Sequence, residues 1–222
     1  MKLFLLYLFI FFTTLYGDGK LLYSFDFTQI QGEEPLKALQ KKGFEFLLDA
    51  KKFHFKVSKR GLEFHTDKNL AGVFGVRLKK PLEHIDSVTI EWGVEKFPKG
   101  ANWEEKNNRL AVGAIFVFGK EKFPSGLPIL APAAPYFFGP FIGESELLDK
   151  TYLGKLYQEA GRYYCVSNKK GLIHTHFDIA KRFRKEFGKD VPPLSAFAFQ
   201  MNTKNTKGGA KAFIKKITFY TK

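Results

Sequence analysis

The sequence predicts a mainly β protein: an antiparallel β-sandwich of jelly-roll or concanavalin-like type with one or two short peripheral helices. Apolar and polar residues alternate with period two in five separate runs, which marks strands with one buried face. Clusters of Gly, Pro, Asn and Asp separate those runs, as in sandwiches and barrels. The chain is 45% hydrophobic and carries 26 Phe, so it holds ample material for a core. Cys165 is its single cysteine, so stability comes from burial and not from an internal disulfide.

The elements follow in order. "MKLFLLYLFIFFTTLYGDGK" places one Lys before an unbroken apolar run and then small and polar residues. That order predicts a signal peptide over residues 1–17, with an uncleaved anchor as the alternative, one domain over 18–222, and a periplasmic or secreted location. The apolar run is shorter than the about 20 residues a spanning helix needs, and no other segment reads as transmembrane. "EEPLKALQKKG" predicts a short helix, with Pro35 in its first turn and Gly43 at its end. "KKFHFKVS" sets Phe53, Phe55 and Val57 against His54, Lys56 and Ser58, and "GLEFHTD" sets Leu62 beside Phe64. "SVTIEWGVEKF" sends Val88, Ile90, Trp92 and Val94 inward and Thr89, Glu91 and Glu95 outward. "RLAVGAIFVFG" is apolar on both faces, which predicts a strand covered on both sides.

The stretch 124–145 contains five prolines and is too apolar for an ordinary exposed loop. It predicts an irregular binding loop or lid in place of a continuous strand. "GRYYCVS" reads as a strand that buries Cys165 as an inert thiol. "HFDIAKRFRKEFG" predicts a second helix, capped by Asp178, striped by Ile179, Phe183 and Phe187, and ended by Gly188. "LSAFAFQM" and "KAFIKKITFY" predict the last two strands, joined by the polar loop "NTKNTKGG" over 202–209.

The formal net charge is +14, an excess that attracts anionic glycans and other polyanions. The RNA-binding sheet signature is absent, so no nucleic-acid partner is expected. No nucleophile elbow, phosphate-binding loop or dinucleotide fingerprint appears either. His174 and His176 share a strand face but lack a third and fourth ligand, so neither a metal nor a cofactor is expected. Glu91 and Glu95 stand about 13 Å apart along a strand. Glycosidase carboxylate pairs stand roughly 5 to 9.5 Å apart, so these two read as surface charges. The expected ligand-binding residues are Trp103 and Tyr136, whose rings suit a wet cleft, with Asn202, Lys204, Asn205 and Lys207 of the polar loop.

Two resemblances add to this. "LYQEAGRYYC" resembles the Y-x-x-A-G-x-Y element of alginate-type polysaccharide lyases, which are β-jelly rolls, through Tyr157, Ala160, Gly161 and Tyr163. It implies proton transfer by a Tyr and a His beside a sugar carboxylate, with Tyr157, Tyr163, His174 and Arg109 as candidate catalytic residues. The Arg-rich strand of that family is absent, and the Ile-His pair follows the element here instead of preceding it.

The second covers roughly residues 85 to 222. "IEWGVEKFPKGANWEEKNNRLAVGAIFVFG", "FDIAKRFRKEFGKDVPPLSAFAFQMNT" and "NTKNTKGGAKAFIKKITF" resemble, in this order, a bacterial exported family of unknown function. It implies an exported β-sandwich with no established activity. Acidic residues occupy its turn and polar pair where this chain has Asn107, Asn108, Asn202 and Lys204. A hard-cation site there is therefore expected to be lost. The leading expectation is a non-catalytic exported module that binds a glycan or an anionic envelope polymer such as an acidic polysaccharide. A polysaccharide lyase or glycoside hydrolase, and an envelope assembly protein pairing through sheet edges, are the alternatives.

Overall fold

The computed structural model describes residues 19–30, 34–127 and 131–222, and the signal-like segment 1–17 lies outside the described residues. The strands run in chain order as Lys20–Asp26 (β1), Phe44–Leu48 (β2), His54–Ser58 (β3), Gly61–Thr66 (β4), Ala71–Leu82 (β5), Ser87–Lys96 (β6) and Leu110–Phe123 (β7). They continue as Ala134–Ile142 (β8), Thr151–Tyr152 (β9), Gly161–Ser167 (β10), Gly171–Asp178 (β11), Leu194–Asn202 (β12) and Ala210–Thr221 (β13). Two α-helices, Pro35–Lys41 (α1) and Ile179–Phe187 (α2), and two single 3-10 turns, Phe27–Gln29 and Ala50–Lys52, complete the set among the described residues.

The strands form a two-sheet sandwich. One sheet has the order β11-β6-β13-β4-β3, with β1 also paired to β13; the other has the order β2-β5-β12-β7-β8-β10-β9. Pairing is antiparallel except between β8 and β10, which run parallel and depart from the purely antiparallel expectation. The alternation predicted for β6 holds: Val88, Ile90, Trp92 and Val94 are each at most 1% exposed. Aromatic rings fill the space between the sheets. Phe64 meets Phe74 across it at 5.2 Å, and Phe219 meets Phe116 at 5.6 Å and Phe197 at 5.5 Å. Edge-on and tilted pairs of this kind add to the area they bury.

The helices close the sides. Helix α1 packs against β2 and β3, the edge strands of the two sheets, and begins at Pro35 as the sequence predicts. Helix α2 closes the other side, with Phe183 against Phe118 and Phe138 at 5.5 and 5.7 Å. Its caps are the predicted ones: Asp178 accepts from the Lys181 amide at 2.8 Å, and Gly188 turns left-handed at φ 68°. A Cβ on Gly188 meets nothing within 4 Å, so only the backbone resists a side chain there. Gly188→Ala is expected to cost about 1 kcal/mol, measured by urea unfolding. No helix among the described residues is long and apolar enough to cross a membrane.

The stretch 124–145 corrects the expectation of an irregular loop. Residues Ala134–Ile142 are a buried strand between β7 and β10. Pro140 is tolerated because the β7 ladder skips it, running from Phe116↔Phe138 to Gly113↔Phe141. Gly139 is required because the Tyr163 ring lies over it, 2.3 Å from where a Cβ would stand. Reciprocally, the Phe137 ring covers Gly161, its register partner.

Candidate functional site

One end of the sandwich gathers the polar loop. Residues 203–209 cross from β12 in one sheet to β13 in the other, and backbone bonds fasten them on both sides. Lys99 and Lys207 exchange two hydrogen bonds of 3.1 and 3.0 Å. The Thr203 hydroxyl donates to the Lys68 carbonyl at 2.7 Å and accepts from the Leu70 amide at 3.0 Å. Arg109 Nε donates to the Lys204 carbonyl at 2.5 Å. Asn202 folds back to accept from the Lys204 amide at 3.1 Å, and Asn205 takes a left-handed φ of 58°. Both conformations suit Asn, whose short side chain bonds its own backbone.

Three loops, 67–70, 97–109 and 202–209, are thus one rigid surface. Lys68, Lys99, Lys106, Lys204 and Lys207 are exposed on it, and none pairs with a carboxylate among the described residues. Of the neighbouring acids, Asp67 pairs with Lys96 at 3.6 Å, Glu104 binds Lys150 and accepts from the Tyr152 hydroxyl at 2.6 Å, Asp49 attracts Lys204, and Glu105 is exposed on the 97–109 loop. Partial burial lowers the pKa of the Arg109 guanidinium, which still stays charged at neutral pH. The surface offers fixed positive charge and amide groups, and no acid/base pair.

Beneath it sits a second aromatic cluster. The Trp103 indole stacks on Phe141 at 4.7 Å, meets Tyr163 at 4.8 Å, and donates to the Arg109 carbonyl at 3.1 Å. Its backbone amide donates to Glu146 at 3.2 Å, and Glu146 also accepts from the amides of Glu144 and Ser145. This carboxylate is 3% exposed and is held by backbone amides, so it ties the 97–109 loop to the 143–150 loop. Phe137 extends the cluster to Tyr163 and Tyr157, at 5.6 and 6.1 Å. Burial pushes the Tyr163 phenol up to about 12 and the Cys165 thiol up to about 11, so both stay protonated. Cys165 is fully buried, as expected of an inert thiol.

The structure therefore brings Arg109, Asn202, Lys204, Asn205 and Lys207 together on one face, with Trp103 below them. It separates the remaining candidates. Trp103 is 5% exposed, and its ring is covered, so it supports the loop in place of offering a free stacking face. Tyr136 points into the core, packed on Phe123, Phe183 and Phe187. Tyr157 uses its hydroxyl on the Pro132 carbonyl at 2.9 Å. His174 lies exposed on β11, opposite Glu91, in the other sheet from Tyr163 of β10, while Tyr157 lies in the loop before β10. Sequence reasoning missed Lys68, Lys99, Lys106 and Glu146. The lysines sit in turn-like runs and carried a local signal. Glu146 carried none, because a Glu between Ser and Leu reads as solvent-facing.

Glu91 and Glu95 belong to ion pairs on the outer face of the first sheet. Lys215 reaches Glu91 at 2.7 Å; Glu95 takes Lys211 at 2.8 Å and also Arg60, which holds Glu63 at 3.0 Å. Lys211, and then Arg60, keep the Glu95 carboxyl below its usual range. A depressed acid stabilises the fold above its unfolded pKa, about 4.3, and loses that contribution as pH falls through its folded value. Glu95→Gln is expected to be less stable than the parent at neutral pH, with the gap closing below about pH 4. Thermal unfolding at a series of pH values measures it.

No protein-family model matches the chain, and no curated protein matches it. Among solved structures, the carbohydrate recognition domain of Emp46p in its metal-free form is 13% identical, with a TM-score of 0.43, over 89% of this chain and 95% of that one. The CBM1 of BiXyn10A is 10% identical, with a TM-score of 0.38, over 91% of this chain and 99% of that one. The xyloglucanase domain of NopAA, a type three effector from Sinorhizobium fredii, is 11% identical, with a TM-score of 0.39, over 81% and 92%. At such TM-scores the likeness says nothing about which ligand this chain takes.

Proposed function

We propose that this protein is a non-catalytic, exported binding module for an anionic polymer, an acidic polysaccharide or a comparable envelope component. One observation carries the reading: exposed lysines and Arg109 stand on three loops that backbone hydrogen bonds lock into one surface. A preorganised excess of positive charge binds a polyanion with little ordering cost in the loops. The leader-like N-terminus and the resemblance to an exported family support the periplasmic or secreted setting. The separation of Tyr157 and Tyr163 from His174 leaves the lyase alternative without an assembled acid and base.

Polygalacturonate and neutral dextran on matched surfaces test it. The protein is expected to bind the first and not the second. Binding is expected to fall steeply between about 0.1 M and 1 M salt, where the screening length shrinks from roughly 10 Å to 3 Å. Equal retention on dextran, or none on polygalacturonate at low salt, would overturn the reading.

A further inference from the structure

Strand β13 changes partner along its length: Ala210–Ile214 pair with β4 and Lys216–Thr221 pair with β1. Lys215 falls between the two ladders. The notch beside it is an open cleft of about 900 Å³, lying between the turn that follows β1 and the end of β3. Ile30, Pro35, Phe55 and Val57 line it together with Lys56, Lys59 and Lys215; Phe55 and Val57 share one face of the edge strand β3, and Lys56 projects from the other. Among the described residues, no carboxylate lines it.

Its polar groups are largely spent on local bonds. Thr28 Oγ1 donates to Asp26 at 2.6 Å, Gln29 donates to Thr28 at 3.2 Å, and Ser58 Oγ accepts from the Arg60 amide at 3.0 Å. Lys215 is paired with Glu91. Glu63, across from Lys56 in register, is held by Arg60. Lys56 and Lys59 are exposed, with no carboxylate partner among the described residues. A sugar needs several convergent donors and acceptors. This cleft instead offers apolar wall and two uncommitted ammonium groups.

We propose that the notch binds an amphiphilic anion: an alkyl chain on Ile30, Phe55 and Val57, with a carboxylate or phosphate head between Lys56 and Lys59. Apolar burial supplies the affinity and the lysines select the anionic end. The site is separate from the basic loops and stands or falls independently of them.

Octanoate and octyl phosphate, titrated into the 15N-labelled protein below their micellar concentrations, test it. Acetate, inorganic phosphate and octyl glucoside serve as head-only and neutral probes. Both octyl anions are expected to shift amides of β3 and residues 28–30 saturably, and the other three to bind at least about tenfold more weakly. Comparing the two octyl anions tells which head is preferred. Lys56→Glu with Lys59→Glu is expected to weaken the octyl anions about tenfold and leave polygalacturonate binding unchanged. Lys56→Gln with Lys59→Gln repeats the measurement if the reversed pair does not fold. Equal affinity for octyl glucoside, shifts confined to another surface, or folded variants that bind like the parent would each overturn the proposal.

Discussion

Lys204→Glu combined with Lys207→Glu is expected to weaken polygalacturonate binding about hundredfold at low salt and to leave the fold intact. Each reversal removes one attraction and adds one repulsion, so four small surface terms act together. The fold survives because the loop is held by main-chain groups. The Lys207 amide and carbonyl bond Lys99, and the Lys204 carbonyl accepts from Arg109; neither lysine side chain makes a hydrogen bond that holds the loop, and Lys204 adds only an attraction to Asp49. The matched control is Lys79→Glu with Lys80→Glu. Both lysines are exposed on β5 near Leu82, which pairs with Leu194, while the loop end of the same ladder is Ala71 with Asn202. The control makes the same change in net charge at the opposite end of the sandwich. If it loses as much affinity, binding follows net charge and not the loop surface. Surface plasmon resonance with circular dichroism on both variants decides it.

Phe138→Ala is expected to cost about 4 kcal/mol, the range for truncating a fully buried Phe. In a domain of this size that lowers the melting temperature by roughly 10 °C. Phe138 is fully buried and touches five rings: Phe118, Tyr164, Phe177, Phe183 and Phe187, at 5.5 to 6.0 Å. Two of these belong to α2, so the cavity also loosens the helix from its sheet. Loss of near-ultraviolet dichroism ahead of far-ultraviolet dichroism would show that loosening. A drop of less than about 1 kcal/mol in urea unfolding would mean that β8 does not carry the core.

These two positions differ in how far the sequence discloses them. The lysines of "NTKNTKGG" stand out by composition, and the segment reads as the connector of the last two strands, which it is. Phe138 lies in a run broken by Pro135, Gly139 and Pro140, which argues locally against a strand. The strand forms because Tyr163 fills the space above Gly139 and β7 leaves Pro140 unpaired, and neither compensation is visible within the run. Trp103 shows the same gap. An aromatic residue in a polar loop reads as a ligand platform until Phe141 and Tyr163 are seen to cover it.

By itself, the sequence determined the sandwich class, the burial pattern of β6 and both ends of α2. Period-two alternation and capping are short-range rules, satisfied within a few residues of chain. Only the tertiary structure decided the rest: the parallel β8–β10 pair, the turn of Tyr136 into the core, and the placing of His174 in the opposite sheet from Tyr163. It also joined the three basic loops. The bond from Arg109 to Lys204 spans 95 residues and that from Thr203 to Lys68 spans 135. Contacts at such separation depend on how the sheets close on each other, and no local pattern encodes that closure.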